Sequence, residues 1–324
     1  MDKELRIRRA LPEDRPAMER ICAHTWDSGD YIQEVWDEWL ADEEGVLLVA
    51  ELGGQVVSLN KVTFQPGGQV WLEGMRVDPD YRGRGIASRG LEYNLAYARQ
   101  QRARVVRLAT GGNNTAVHAM VGKAGMEPVG RYVLYNAEPL PGEARPAILG
   151  PQHRTQADAF LAKSRVLAGQ RGLYSRDWAW QELAPERLSE MLAAGQVAAL
   201  PAAGGELAAM ATIHVHPGAE EMWIGFADIA PGEQERALAG LARAIRAQAA
   251  EAGVKWVRAM LADLAWQRAA LAAAGFGTGE WEGELWIFEW QVDERARAEG
   301  EASDVAASGH TPGAAGFEGE RDEA

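Results

Sequence analysis

The chain has one cysteine, Cys22, and few basic residues for its length of 324. A single cysteine excludes an intramolecular disulfide, which favours a reducing, cytoplasmic location. Lysine and arginine number 33 against 47 acidic residues, for a formal charge of −14. Because binding to a phosphate backbone requires a basic face, this balance argues against nucleic acid as the main partner.

Long apolar runs are also missing. No stretch approaches the roughly 20 apolar residues that span a bilayer, and the start of the chain, Met1–Arg6, does not look like a signal peptide. We therefore expect no membrane partner. The composition leaves the oligomeric state open.

The length and the hydrophobic content of 47% suit two domains, each with its own core. Residues 293–324 differ from the rest, because they carry nine acidic and three basic residues and few large apolar ones. This composition predicts a disordered acidic tail.

The most informative stretch is Val77-Asp-Pro-Asp-Tyr-Arg-Gly-Arg-Gly-Ile-Ala-Ser88. A predicted strand, 71–77, ends there, and apolar residues at helical spacing begin at Ile86. The segment 82–85 therefore lies where a helix begins and where backbone N–H groups have no helical partner. Such a terminus attracts anions, and the two glycines and two arginines of this segment suit a pyrophosphate. The alternative is an ordinary turn with a solvated basic edge.

The pattern Arg82-x-x-Gly85-x-Ala87 resembles the acyl-CoA pyrophosphate loop of the GNAT superfamily of N-acyltransferases. A strand with the pattern Glu73-Gly-x-x-Val-x-Pro79 precedes it, and Asn114 and Gly125 follow at the family's spacing. The resemblance covers roughly residues 4–138. It implies an α/β (α+β) domain, a mixed, largely antiparallel sheet flanked by helices. It also implies acetyl or other short acyl transfer from acyl-CoA, without a metal, to a small-molecule amine or a protein amino group.

The resemblance implies which residues contact the cofactor. The backbone of Met75 and Val77 would bind the pantetheine arm, and Asn114 would contact the cofactor, although a helix N-cap also explains this asparagine. The full predicted set is Met75, Arg76, Val77, Arg82, Gly83, Arg84, Gly85, Ile86, Ala87, Ser88 and Asn114.

Glu73 is the candidate general base, acting directly or through water. Strand alternation predicts that its side chain shares a sheet face with those of Met75 and Val77. The alternative is a carboxylate at the rim with no catalytic role. The resemblance also implies that two N-terminal helices, ending near His24 and Ala41, wall the acceptor site. Six carboxylates of that region either face the amine or form a solvated face: Glu34, Asp37, Glu38, Asp42, Glu43 and Glu44.

The general acid is an open question. Val121 stands where many relatives carry a tyrosine, so the usual proton donor to the departing thiolate is in doubt. Tyr132, Tyr135 or water are the candidates to replace it. The same departure motivates an alternative function, a catalytically silent CoA-binding sensor or scaffold protein.

The second half repeats the first. Trp71 and Pro79 align with Trp223 and Pro231 at an offset of 152, and Ala274-Gly275 echoes Ala124-Gly125. At that offset the basic loop becomes Gln234-Glu-Arg-Ala237, and a carboxylate there opposes a pyrophosphate. We predict tandem GNAT-like domains: an intact one at 1–138, a linker at 139–150, a degenerate one at 151–292 and the tail at 293–324.

Three further candidates are weak. Cys22 lies on a predicted helix, where a lone cysteine is usually a small buried apolar group. His118 lies in the middle of a predicted helix and is expected to be structural. His214 and His216 share a strand face, but without a third ligand nearby we predict packing rather than a metal site.

Overall fold

The computed structural model describes residues 4–23, 25, 29–215, 220–278 and 283–292. The predicted tail and His216 lie outside these residues. The first half contains β1 (Leu5–Arg9), α1 (Arg15–Cys22), α2 (Ile32–Ala41), β2 (Gly45–Leu52), β3 (Gln55–Gln65), β4 (Gln69–Val77), α3 (Ile86–Gln100), β5 (Val105–Gly111), α4 (Thr115–Lys123) and β6 (Glu127–Ala137).

The second half contains β7 (Ala147–Leu149), α5 (Arg154–Leu161), α6 (Arg165–Gly169), β8 (Leu173–Arg176), β9 (Ala179–Glu182), α7 (Pro185–Ala193), β10 (Val197–Pro201), β11 (Leu207–Val215), β12 (Glu221–Ile229), α8 (Glu235–Glu251), β13 (Trp256–Ala262), α9 (Ala265–Ala273) and β14 (Glu284–Gln291). The sequence pattern did not predict β7, which lies in the segment assigned to the linker and pairs with β10. It also did not predict the hairpin of β8 and β9.

Twelve of the strands in the described part of the chain form one sheet, in the order β1-β2-β3-β4-β5-β14-β6-β13-β12-β11-β10-β7. The pairs β4–β5 and β12–β13 are parallel, and the other neighbours are antiparallel. The predicted fold class, a mixed and largely antiparallel sheet flanked by helices in a tandem arrangement, is confirmed.

The two halves exchange their last strands at the centre of this sheet. Strand β14 of the second half lies between β5 and β6 of the first. Strand β6 in turn pairs with β13 of the second half. Each half therefore completes its sheet with a strand from the other, and the backbone hydrogen bonds of the two halves form one continuous sheet.

Helices cover both faces of the first-half sheet. Alternate residues of β2 separate the layers, because Leu47 and Val49 pack with residues of α1 and α2, whereas Val46 and Leu48 pack with residues of α3 and α4. The hairpin of β8 and β9 reaches across from the second half, and the rings of Trp71 and Trp180 lie 5.6 Å apart. No helix in the described part of the chain is long and apolar enough to cross a membrane.

Candidate active site

The basic loop connects β4 to α3, as the sequence predicts. Asp78 begins it by accepting a hydrogen bond from the Asp80 amide at 3.0 Å, and a single 3-10 turn follows at Pro79–Tyr81. Gly83 and Gly85 then adopt φ angles of +75° and +71°. Only glycine enters this region without strain. A Cβ at either position would meet no atom within 4 Å, so the space above the loop is open.

The N-terminus of α3 offers hydrogen-bond donors to that space. The first helical bond runs from the Arg89 amide to the Gly85 carbonyl at 3.1 Å, so the amides of residues 86–88 have no acceptor within the helix. Arg82 and Arg84 are exposed. Their side chains donate to the backbone carbonyls of Val77 and Asp80, and neither forms an ion pair within the described residues. Amides, helix dipole and two cations together favour an anion.

Strands β4 and β5 diverge beside this loop. They pair only from Gln69 to Leu72 on β4, opposite Val105 to Leu108 on β5. Beyond that point each strand continues without the other, to Val77 and to Gly111. The gap exposes one edge of the β4 backbone, and an extended chain could add to it by strand-like hydrogen bonds.

A β-bulge in β4 overturns the predicted side-chain alternation. Glu73 pairs with Lys61 and Arg76 with Leu59, so β4 has one more residue than β3 over this interval. Gly74 adopts φ of +66° there. Because a bulge inserts an extra residue, it reverses the alternation. Glu73 therefore shares a face with Arg76, not with Met75 and Val77, and the prediction of a common face was wrong.

The contacts of these side chains agree with the register. The Met75 sulfur lies 3.7 Å from the Ser58 hydroxyl, and its terminal methyl lies beside Gly90 of α3. Arg76 instead reaches the α2 side, where it donates to Asp30 at 2.7 Å and 3.3 Å. The Asp30 side chain has no exposed surface. The Arg76 guanidinium is thus directed away from the basic loop.

Glu73 is partly buried between β3 and α2. The Thr63 hydroxyl donates to its carboxylate at 3.2 Å, and Lys61, its partner across the strands, pairs with Asp42. Burial raises the pKa of Glu73 above its ordinary value. The Thr63 bond and the charge of Lys61 oppose the rise, whereas the charges of Asp42 and Glu38 add to it. A carboxyl with a raised pKa is better matched to proton transfer near neutral pH.

Asn114 is the N-cap of α4, with its side-chain oxygen accepting from the Val117 amide at 3.3 Å. Its amide nitrogen donates to the Thr110 hydroxyl at 3.2 Å. The N-cap explanation is therefore confirmed, and the residue is exposed in the loop between β5 and α4.

The tyrosines considered as proton donors lie elsewhere. Tyr132 is buried against Trp180, with its hydroxyl 3.5 Å from the Leu173 carbonyl, and burial raises its pKa. Tyr135 is buried among second-half residues beneath α8 and α9. Val121 is fully buried in the first-half core. Neither tyrosine hydroxyl therefore reaches the gap between β4 and β5, and Val121 has no hydroxyl to supply.

His118 and Cys22, two further candidates, are packed among other side chains. The His118 ring lies 5.0 Å and 5.1 Å from the rings of Trp286 and Phe288, and its Nε2 contacts the Gly111 carbonyl at 3.0 Å. Cys22 is fully buried in the core beneath α1 and α2. Burial and the nearby charge of Asp30 raise the pKa of its thiol to about 12.

Comparison with known proteins shows which family this region is similar to. The family model described as "Acetyltransferase (GNAT) family" matches residues 8–126, which contain every predicted site residue. We call this matched region, residues 8–126, the GNAT domain. No protein among the curated sequences matches the chain.

Solved structures share the fold over both halves. A GCN5-related N-acetyltransferase from Sphaerobacter thermophilus is 14% identical, with a TM-score of 0.63 over 89% of this chain and 95% of that one. A tandem GNAT protein from the clavulanic acid biosynthesis pathway is also 14% identical, with a TM-score of 0.52 over 89% and 98%. At this identity the likeness concerns the fold, and it extends the GNAT architecture beyond residue 126.

The second half has a cleft where the GNAT domain has its basic loop. The cleft has a volume of about 840 Å³, and its lining includes Lys163, Arg165, Glu233, Glu235 and Trp266. Helix α8 begins after Gln234 at φ of −102°, so the positive-φ glycine that begins α3 has no equivalent here. Two carboxylates, Glu233 and Glu235, stand close to the helix start.

The inner part of that cleft is closed. The side-chain amide of the fully buried Gln267 donates to the Ala227 carbonyl at 2.7 Å, and Ala227 is the counterpart of Met75 at the offset of 152. The counterpart of Glu73 is Gly225, where a side-chain carbon would overlap the Ser175 carbonyl. The Glu73 carboxylate therefore has no counterpart at residue 225. The Ala227 carbonyl is bonded by a fully buried side chain, whereas the Met75 carbonyl accepts a bond at 3.1 Å from the partly buried Arg76.

His214 pairs with a carboxylate. Its Nε2 lies 2.6 Å from the Asp177 carboxylate, in the turn between β8 and β9. Within the described residues, no group of three or more His, Cys, Asp or Glu side chains is arranged to hold a metal ion.

Proposed function

We propose that the GNAT domain is an N-acyltransferase that moves an acetyl or other short acyl group from acyl-CoA to an amine. The observation that carries this proposal is the start of α3, where two positive-φ glycines and three unpartnered amides lie beside the gap between β4 and β5. Residues 82–88 would bind the pyrophosphate. The backbone of Met75, Arg76 and Val77 would bind the pantetheine arm, and Asn114 would contact the cofactor.

In this proposal the amine attacks the thioester carbonyl directly. The bound amine first loses a proton from its ammonium form to the Glu73 carboxylate, directly or through one water. The neutral nitrogen then forms the N–C bond as the C–S bond breaks, and its second proton leaves to water. Since no tyrosine hydroxyl stands at Val121, the thiolate takes its proton from water. Holding both reactants in one cleft contributes much of the rate acceleration. The acceptor is a small-molecule amine or a protein amino group. Because a single cysteine cannot form an intramolecular disulfide, we propose a cytoplasmic location.

We assign no acyl-CoA site to the second half. Gln267 and Ser175 occupy the space that the pantetheine arm and the acceptor would need, and Glu233 and Glu235 oppose a pyrophosphate. Its role in this proposal is to complete the shared sheet through β14 and to cover part of the GNAT domain with the β8–β9 hairpin.

Calorimetric titration of the full chain with acetyl-CoA tests the proposal. We expect one site per chain and thiol release when an amine panel is added. Arg84→Glu should weaken binding at least about tenfold, because it places a carboxylate at the anion site. Arg236→Glu, the same change at the corresponding position of the second half, should leave binding unchanged. No binding, or equal effects of the two substitutions, would contradict the proposal.

The lack of a tyrosine at position 121, where the chain has Val121, favours one alternative, a CoA-binding sensor or scaffold protein without catalysis. In that case acetyl-CoA binds with the same dependence on Arg84, but no amine accelerates the release of thiol. Mass spectrometry of the amine panel separates the two functions, because only the enzyme produces N-acyl products.

A further inference from the structure

The face of β4 that carries Glu73 adjoins an aromatic corner at the start of α2. The rings of Tyr31 and Trp39 meet edge to face, with centroids 5.9 Å apart and planes at 83°. Trp39 lies directly over Gly74, where a Cβ would come within 2.7 Å of two ring atoms. The glycine of the bulge thus admits the indole next to Glu73, and 41% of Tyr31 remains exposed. Aromatic faces attract organic cations.

The two cations on this face are already neutralised. Lys61 is almost fully buried and forms an ion pair with Asp42. Arg76 forms a bidentate pair with the buried Asp30, and its guanidinium carbon lies 5.7 Å from the centre of the Tyr31 ring. A ligand would therefore contact the part of the Tyr31 ring that Arg76 leaves exposed. A carboxylate on a ligand would have to compete with these partners for either cation.

Two anions on the same face have no ion pair within the described residues. Glu73 has only the Thr63 hydroxyl as a partner. Glu38 is exposed one residue before Trp39, and its charge acts on the Glu73 carboxyl. The acceptor side of the site therefore has uncompensated negative charge and aromatic surface. This combination favours a cation and opposes an anion.

We propose that the acceptor is a cationic amine without a carboxylate next to its amino group, bound against Tyr31 and Trp39 and beside Glu38 and Glu73. This rests on the proposed function. Amines on apolar skeletons and the amino termini of peptides belong to the class, because a peptide carries a neutral amide where a free amino acid carries a carboxylate. Free α-amino acids are excluded from it, because their carboxylate would face Glu38 and Glu73.

The bound ammonium must lose one proton before attack. Glu73 takes that proton, and the neutral nitrogen then bonds to the thioester carbon while the C–S bond breaks. The second proton of the attacking nitrogen leaves to water as the amide forms, and the thiolate receives a proton from water. The same carboxylate thus attracts the cation and removes its proton.

Three matched acceptors test the proposal: phenethylamine, phenylalaninamide and phenylalanine. The amide and the acid have nearly the same shape and differ in the charge of the substituent. Because the substituent also changes the pKa of the amino group, the rates are compared per unprotonated amine. We expect kcat/KM for phenethylamine and phenylalaninamide to exceed that for phenylalanine at least about tenfold, because repulsion between like charges at this range is worth that much. Equal values for phenylalanine and its amide would overturn the proposal.

A charge reversal gives a second test. Glu38→Arg supplies a cation beside Glu73, so the preference for the amide over the acid should fall at least about threefold. Glu186→Arg, a matched change on the exposed surface of α7, should leave the preference unchanged. An unaltered preference in Glu38→Arg would overturn the placement of the acceptor beside α2.

Binding separates failure of this inference from failure of the proposed function. Phenethylamine should bind to the CoA-loaded protein in calorimetry, and Tyr31→Leu should weaken that binding. CoA binding without any binding of phenethylamine or cadaverine would overturn the inference and leave the CoA site in place. Loss of CoA binding itself would instead overturn the proposed function.

Discussion

Arg107 of β5 and Glu289 of β14 form an ion pair at 2.6 Å, with both side chains 2% exposed. The pair joins the GNAT domain to the strand that the second half contributes. Arg107 also binds Glu182 of the β8–β9 hairpin at 2.7 Å and Gln69 at 2.6 Å. The two halves are thus connected through a buried polar network as well as through a continuous sheet.

Arg107→Met should lower the free energy of unfolding by about 3–5 kcal/mol, because it removes the buried cation that pairs with Glu289 and Glu182 and leaves Glu289 only the pair with the exposed Arg171. Denaturant unfolding followed by tryptophan fluorescence measures the change, and we expect one transition, since the halves share strands. Lys255→Ala serves as the control. It breaks the pair with Glu220, whose side chains are 65% and 61% exposed, and should cost at most about 1 kcal/mol. Similar losses in both variants would contradict this account.

Gly85→Ala should lower the free energy of unfolding by about 1 kcal/mol, because alanine is strained at a φ of +71°. It should also weaken CoA binding, since the first amides of α3 would shift. Gly253→Ala is the matched control, with a φ of +70° and open space around it. We expect the same stability loss there, measured by thermal unfolding, with CoA affinity unchanged. Unchanged CoA affinity in Gly85→Ala would separate the glycine from the anion site.

Glu73→Gln should lower the acyl-transfer rate about 10²–10⁴-fold, the usual contribution of a general base. In the unmodified protein the rate should rise with pH through the raised pKa of Glu73, because the ionised carboxylate is the active form. The variant should lack that limb of the pH–rate profile. Glu43→Gln, an exposed change after α2, should keep the limb. A profile that Glu73→Gln leaves unchanged would remove Glu73 from the mechanism.

The same pKa shift has a consequence for stability. A carboxyl whose pKa is higher in the folded state stabilises the fold below its ordinary pKa, and that contribution is lost as pH rises through the folded value. The stability of the unmodified protein should therefore fall relative to that of Glu73→Gln as pH rises through this window. Denaturant midpoints at several pH values measure the difference. Parallel curves for the two proteins would show that burial does not raise this pKa.

The Cys22 thiol should be unreactive in the folded protein. With a pKa of about 12, its thiolate fraction at pH 8 is about one in ten thousand, and the side chain has no exposed surface. A chromogenic disulfide reagent should titrate about one thiol only after denaturation. Rapid reaction of the native protein would contradict the placement of Cys22 in the core beneath α1 and α2.

The sequence predicted the elements of the first half within a few residues, because their signals are local. Glycine and proline mark the turns, apolar periodicity separates strands from helices, and Asn114 has the chemistry of an N-cap. The basic loop was also readable, since two glycines and two arginines between a strand and a helix determine both the backbone conformation and the charge of that segment. The sequence likewise predicted that the corresponding segment, Gln234–Ala237, lacks both glycines and one of the two arginines.

Only the tertiary structure decided how these elements combine. The exchange of β6 and β14 depends on pairing between strands 120 or more residues apart, as between Ala137 and Val257 and between Leu285 and Tyr132, and no local pattern specifies such a partner. The bulge at Gly74 follows from the register of β3 against β4, and one inserted residue moved Glu73 to the face of Arg76 and Trp39. Sequence alone thus determined the conformation and charge of the basic loop, whereas long-range strand pairing determined which side chains share the face of β4 that carries Glu73, because register depends on residues distant in the chain.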